Sequence, residues 1–188
     1  MNDIVLPSFY LAPVAYYRQL LHAENVRIEV CDHYTKQTLR NRCWIDSPSG
    51  PLALTIPVEK AQGKQMMRDV RISDHGNWRH QHWQALVSSY GQSPFFEFYA
   101  DDFAPFYEKK WTFLADYNEA LMRLVLSLLD VNPTVTRTTT YSIASSRPTE
   151  TAPSRPYYQM FASRHGFLPG LSIVDLLFNM GNESILYL

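Results

Sequence analysis

The sequence predicts an α/β fold: a mixed sheet that begins with a βαβ unit, carries a central β-hairpin and is covered by helices. Three observations predict it. A short apolar run at residues 4–6 is followed by a helical stretch and then by VRIEVC at residues 26–31, the strand–helix–strand spacing of a βαβ start. Two alternating runs flank SPSGP, where Pro48 and Gly50 supply a turn. Beyond them, long stretches repeat apolar residues at helical spacing.

The elements follow in order. Residues 4–6 read as a short buried strand that Pro7 closes, since proline cannot donate to a ladder. Pro13 suits the first turn of a helix over 13–22, where its missing N–H costs nothing. Val26, Ile28 and Val30 then share one face of strand two. Residues 40–45 and 52–58 make the hairpin, 60–67 a polar loop and 70–72 a short strand. Asn77 can cap a helix over 78–90 whose apolar face is Trp83, Leu86, Val87 and Tyr90. SPFFEFYADDFAP reads as aromatic and irregular. The longest helix is expected over 105–129, where Tyr107, Trp111, Leu114, Tyr117, Leu121, Leu124, Val125 and Leu128 recur at core spacing. Residues 134–143 read as a strand. Residues 144–156 are Ser, Thr, Pro and Arg with little to bury, the composition of a mobile loop. Ser172 starts a last short helix, Asp175 stands at capping-box spacing from it, and Gly181 ends it.

A chain of 188 residues, 46% hydrophobic and 19% charged, suits one globular domain over 1–188 that buries a core without staples. The formal net charge of −1 supplies no basic field to hold a nucleic acid, so none is expected as a partner. Charge is nonetheless uneven. Between His33 and Trp83 there are eight Lys or Arg against four Asp or Glu, and four of the six His. Between Glu97 and Asp130 the balance reverses, three against seven. A solvated face is the default reading of this, and an anionic small ligand near the first region is the alternative it leaves open. Two cysteines, Cys31 and Cys43, are too few for a disulfide scaffold. No leader and no apolar run approaching the roughly 18 residues of a membrane helix is visible. The expectation is a cytoplasmic protein with reduced thiols and no membrane span. No cofactor is indicated, and a homo-oligomer is left open.

The richest motif is HYTKQTLRNRC at residues 33–43, directly after strand two, where ligands bind in such sheets. It packs His33, Tyr34, Lys36, Arg40, Asn41 and Arg42 together. Guanidinium forks suit phosphate or carboxylate, and Lys adds a point charge. If residues 40–43 are a strand, Arg40 and Arg42 face one way as free surface charges, and losing both leaves the fold intact. The alternative is a charged sheet edge that blocks aggregation. WRHQHW at 78–83 offers Arg79 as an anion ligand and His82 as a base, against a helix surface with both Trp turned inward. Asp175 is a candidate because a carboxylate at a helix start is often also a ligand group. His75, His80, His82, Cys31, His33 and Cys43 lack metal-ligand spacing, so no metal is expected.

Five blocks in order, LPSFYLAPVAYYRQL, HYTKQTLRNRC, GPLALTIPV, HWQALVSSYGQSPFFEFY and GFLPGLSIVDLLFNMG, resemble the WbqC-like family over nearly the whole chain. The family pattern falls on Pro7, Pro13 and Tyr17, then on Tyr34, Lys36, Arg40, Asn41 and Arg42. Further on it matches Tyr90, Pro94 and Phe96, and finally Leu171, Ser172, Asp175, Phe178, Asn179 and Gly181. Two features depart from longer members. Leu6 stands where they carry Gln, and a Ser/Thr/Pro stretch replaces an insert resembling HYLSGPGG. The resemblance implies a bacterial protein associated with surface-polysaccharide, O-antigen type, biosynthesis. On that footing the expectation is an enzyme transferring a small group to or from a nucleotide-activated sugar or similar anion. His33, Tyr34 and Asp175 would be its catalytic candidates. Lys36, Arg40, Asn41, Arg42, Arg79 and Tyr90 would bind substrate. The rival is a non-catalytic binding or scaffold module that uses the aromatics of SPFFEFYADDF.

Overall fold

The computed structural model describes residues 3–60, 63–143 and 154–188. The loop expected at 144–156 therefore lies, apart from its last three residues, outside the described residues.

The βαβ start is present. Strand β1 (Asp3–Pro7) leads into helix α1 (Val14–Leu21) and strand β2 (Asn25–Glu29), and β1 pairs β2 in parallel from Asp3↔Asn25 to Pro7↔Glu29. Strand β5 (Thr134–Arg137) adds to the other edge of β2, again in parallel, giving the order β1-β2-β5. It stops well short of residue 143. The hairpin is β3 (Arg42–Ile45) against β4 (Leu52–Thr55), antiparallel from Arg42↔Thr55 to Ile45↔Leu52. It forms a sheet of its own, so the parallel and antiparallel strands lie in two small sheets.

Three helical expectations need correction. Helix α2 (Trp78–Tyr90) follows Asn77, but that side chain makes no cap bond. Its buried stripe is Trp78, His82, Leu86, Ser89 and Tyr90, while Val87 is exposed and Trp83 only half-buried. His82 goes inside because both its nitrogens find partners there. The aromatic stretch expected to be irregular is helix α3 (Phe96–Glu108), with Pro105 inside it. The single long helix therefore does not form. Helix α4 (Leu114–Leu128) is separate, because the intervening chain runs extended and pairs with residues 70–72. Ile72 N donates to Thr112 O at 2.9 Å, Leu114 N to Val70 O at 2.9 Å, and Arg71 bridges Phe113. The strand expected at 70–72 is thus a set of isolated bridges after a 3-10 turn at Met67–Asp69.

The C-terminal block supplies a short helix α5 (Ala162–His165) and the central helix α6 (Ile173–Met180), followed by a 3-10 stretch at Gly181–Tyr187. Ile173, Val174, Leu176, Leu177 and Phe178 are fully buried. Helix α6 is fixed at its start by backbone bonds from Ser172 N to Trp44 O (2.8 Å) and Ile173 N to Ala12 O (2.9 Å). Gly181 ends it at φ 56°, and a Cβ there would lie 2.5 Å from the Phe95 ring, so only glycine fits. Ser172 caps the helix, accepting from Val174 N at 3.4 Å. No capping box forms, because the Asp175 carboxylate turns inward instead. Ser172→Ala is expected to cost about 1 kcal/mol in chemical denaturation, the worth of one cap. Unchanged stability would show that this long bond contributes nothing.

Candidate functional site

The 31–42 loop leaves the carboxyl end of β2 and is anchored on three sides. Tyr34 N donates to Gln65 O, and Tyr10 N, from the β1–α1 turn, donates to Leu39 O, both at 2.9 Å. Asn118 Nδ2 of α4 donates to Arg40 O at 2.9 Å. The β1–α1 turn itself holds Leu11 at φ 40°, a conformation leucine rarely adopts.

Within the loop, Arg40 is not a free surface charge. It precedes β3 rather than lying in it, so it does not share a strand face with Arg42. Its Nη2 donates to Asp32 Oδ2, with the two side chains only 18% and 13% exposed. Arg42 Nε donates to Thr55 Oγ1 at 2.9 Å across the hairpin. Tyr34 is half-buried. Burial raises its pKa, and the nearby Arg40 and Arg42 guanidiniums oppose that rise. At neutral pH the phenol therefore keeps its proton and can donate it. His33 and Lys36 are exposed. Asn41 is buried and donates to Ile56 O at 2.9 Å, so its amide secures the hairpin.

Several polar atoms here are buried with no hydrogen-bond partner among the described residues: Tyr34 Oη, Arg40 Nε, Asp32 Oδ1, Asn41 Oδ1 and Asn118 Oδ1. Leaving such atoms unpaired is costly, roughly 1–3 kcal/mol each. Their concentration around one cationic loop is what a site for a polar ligand looks like.

The remaining candidates lie elsewhere. Arg79 pairs with Asp74 at 2.5 Å and stacks on Trp78. His82 is buried, with Nδ1 3.0 Å from the Tyr10 hydroxyl and Nε2 3.2 Å from Thr55 O. Desolvation pushes its pKa down to about 4, so it is a neutral core group. Thr55 thereby joins it to Arg42, since the same residue accepts from both.

Tyr90 and Asp175 belong to a second, fully buried network. Asp175 Oδ1 accepts from the Tyr90 hydroxyl, and Oδ2 from the Tyr157 hydroxyl, both at 2.7 Å. Gln159 Nε2 donates to the same Oδ2 at 3.0 Å. Asp46 N donates to the Tyr90 hydroxyl, and His165 Nε2 lies 3.0 Å from Asp46 Oδ1. Burial raises the Asp175 pKa to about 6 against the pull of these donors. Sequence spacing gave no signal for Asp46, Tyr157, Gln159 or His165, whose partners lie on other elements, nor for Asp32, although it stands only eight residues before Arg40. Among the described residues no cluster of three or more His, Cys, Asp or Glu could hold a metal ion, and no helix is long and apolar enough to cross a membrane. Cys31 and Cys43 are both buried free thiols.

The profile of the WbqC-like protein family matches residues 8–152, which include the whole cationic loop and its anchors in the β1–α1 turn and α4. The chain belongs to the WbqC-like protein family. The second network lies partly beyond the matched span of this WbqC-like chain, since Tyr157, His165 and Asp175 follow it. The uncharacterised protein Rv1507c of Mycobacterium tuberculosis (strain ATCC 25618 / H37Rv) is 27% identical over 225 residues, covering 98% of this chain and 96% of its own length. No solved structure matches the WbqC-like chain.

Proposed function

We propose that the 32–42 loop binds an anionic small molecule, and that the protein acts as a small-group transferase on a nucleotide-activated sugar or similar anion in bacterial cell-surface glycan biosynthesis. The anion-binding part rests on one observation. Tyr34 Oη and Arg40 Nε are buried donors without partners among the described residues, on a loop that also carries Lys36 and Arg42. The glycan context rests on family membership. In this reading Arg40, Arg42 and Lys36 hold the anion and Asp32 fixes Arg40. Tyr34 donates a proton as general acid, and His33 exchanges it with solvent. Asn41 and Tyr90 support the site through hairpin and core. Asp175, with both oxygens occupied, is a structural anchor, and Arg79 is committed to Asp74.

The test is thermal unfolding of the protein against inorganic phosphate, nucleotide sugars, acyl-CoA and aminoacyl donors. A ligand at 100 times its Kd adds about 2.7 kcal/mol to stability and raises Tm visibly. Absence of any shift across these anions would sink the reading. The scaffold alternative is favoured by Phe98, which is 72% exposed on α3. A partner-binding defect in Phe98→Ser, with no anion response, would support it instead.

A further inference from the structure

Beside the cationic loop lies a shallow cleft at the carboxyl end of β1, lined by Ser8, Phe9, Tyr16, Asn118 and Met122 among others. It has room for about 10 Å³, the space of one water or one hydroxyl group. Ser8 and Asn118 are 3% and 2% exposed. The Asn118 amide nitrogen is spent, donating to Arg40 O at 2.9 Å and to Ser8 Oγ at 3.3 Å. That fixes which end of the amide is which, and leaves Oδ1 buried as an acceptor with no partner among the described residues. Ser8 Oγ accepts from Asn118, so its own proton remains to donate. An acceptor and a donor side by side complement a group that is both, which a hydroxyl is and a phosphate oxygen is not.

We propose that Ser8 and Asn118 form a hydroxyl-reading subsite next to Arg40, so that the ligand is an anion carrying at least one hydroxyl group. The cleft takes the hydroxyl alone, so the carbon skeleton that carries it would lie outside, toward solvent. This rests on the anion-binding reading of the loop and specifies its ligand. Asn118 donates to the backbone carbonyl of Arg40, which ties the cleft to the loop, so one molecule could reach from the hydroxyl subsite to the cations.

The experiment compares glucose 1-phosphate with cyclohexyl phosphate, which share a six-membered ring bearing a phosphate and differ in the hydroxyls, the hydroxymethyl group and the ring oxygen, by calorimetric titration of the full chain. Wild type is expected to bind glucose 1-phosphate roughly tenfold more tightly, the scale of one buried hydrogen-bonding match. Ser8→Ala should abolish the preference by weakening glucose 1-phosphate alone. Ser8→Cys, nearly the same size but a weak donor, should do the same and covers a folding defect in the alanine variant. Equal affinities in wild type, or a preference that survives both substitutions, would overturn the subsite while leaving anion binding in place. If neither phosphate binds wild type, the anion-binding reading falls and the subsite with it.

Discussion

Methionine at both Lys36 and Arg42 is expected to weaken anion binding by at least roughly 100-fold while leaving the unliganded protein folded. Hydrogen bonds to a charged group are worth roughly 1.5–3 kcal/mol each, so losing two charged donors costs two or more powers of ten. The fold should tolerate it. Lys36 is exposed, and Arg42 gives up one bond to Thr55 Oγ1. Arg42→Lys should recover only part of the affinity, because a point charge does not reproduce a fork. Arg40 behaves differently. The sequence suggested that Arg40 and Arg42 could be removed together at little cost to folding. The structure shows otherwise, since Arg40→Met strips the counter-charge from Asp32, whose side chain is 13% exposed. That is expected to destabilise by roughly 3 kcal/mol, and Asp32→Asn in the same chain should restore part of it. Calorimetric titration and Tm, read side by side, check both statements. Undiminished binding in the Lys36/Arg42 variant would remove these cations from the site.

Asp175→Ala is expected to be the most destabilising single change, by about 3–5 kcal/mol, because it orphans the Tyr90 and Tyr157 hydroxyls and Gln159 in the interior. For a chain of this size that lowers Tm by about 10 °C. Asp175→Asn isolates the charge. The folded pKa is raised to about 6 from an ordinary 3.8, so between those values the folded state holds a proton that the unfolded state has released. Stability from this group therefore falls as pH rises from 4 to 6 and levels off above. Wild type minus Asn stability, followed by urea unfolding, should decline over that window by a few kcal/mol, roughly 3. A flat difference would mean that the carboxyl titrates in its ordinary range.

Much of the fold was legible where local chemistry decides it. Pro7, Pro13, Pro48 and Gly50 punctuate β1, α1 and the hairpin, and alternation marks β2. The α3–α4 region was not, because Tyr107, Trp111 and Leu114 keep helical spacing across a break imposed by pairing with residues 70–72. The cationic loop could be picked out by its density of charge. Asp32 as the partner of Arg40, and Asn118 as the anchor from α4, could not, since neither stands out in the sequence. The inward turn of Asp175 was hidden for the opposite reason. Its spacing from Ser172 already had a sufficient local explanation as a helix cap.

The parallel sheet and helix α6 bear on how the protein is made. β2 can pair β1 early, but Val26 waits for Val135, which leaves the ribosome far later. Until then the β2 edge presents open amides and carbonyls to any passing strand. Helix α6 emerges later still, yet it is the piece onto which Ala12, Trp44 and Phe95 close. The bonds that hold the cationic loop lie within residues 10–118 and can form earlier, but the sheet edge and the core close late. The nascent chain should be a slow folder and a steady client of holding chaperones, and a ribosome stalled before Ser172 should display a partly collapsed, protease-sensitive intermediate rather than a nearly finished domain.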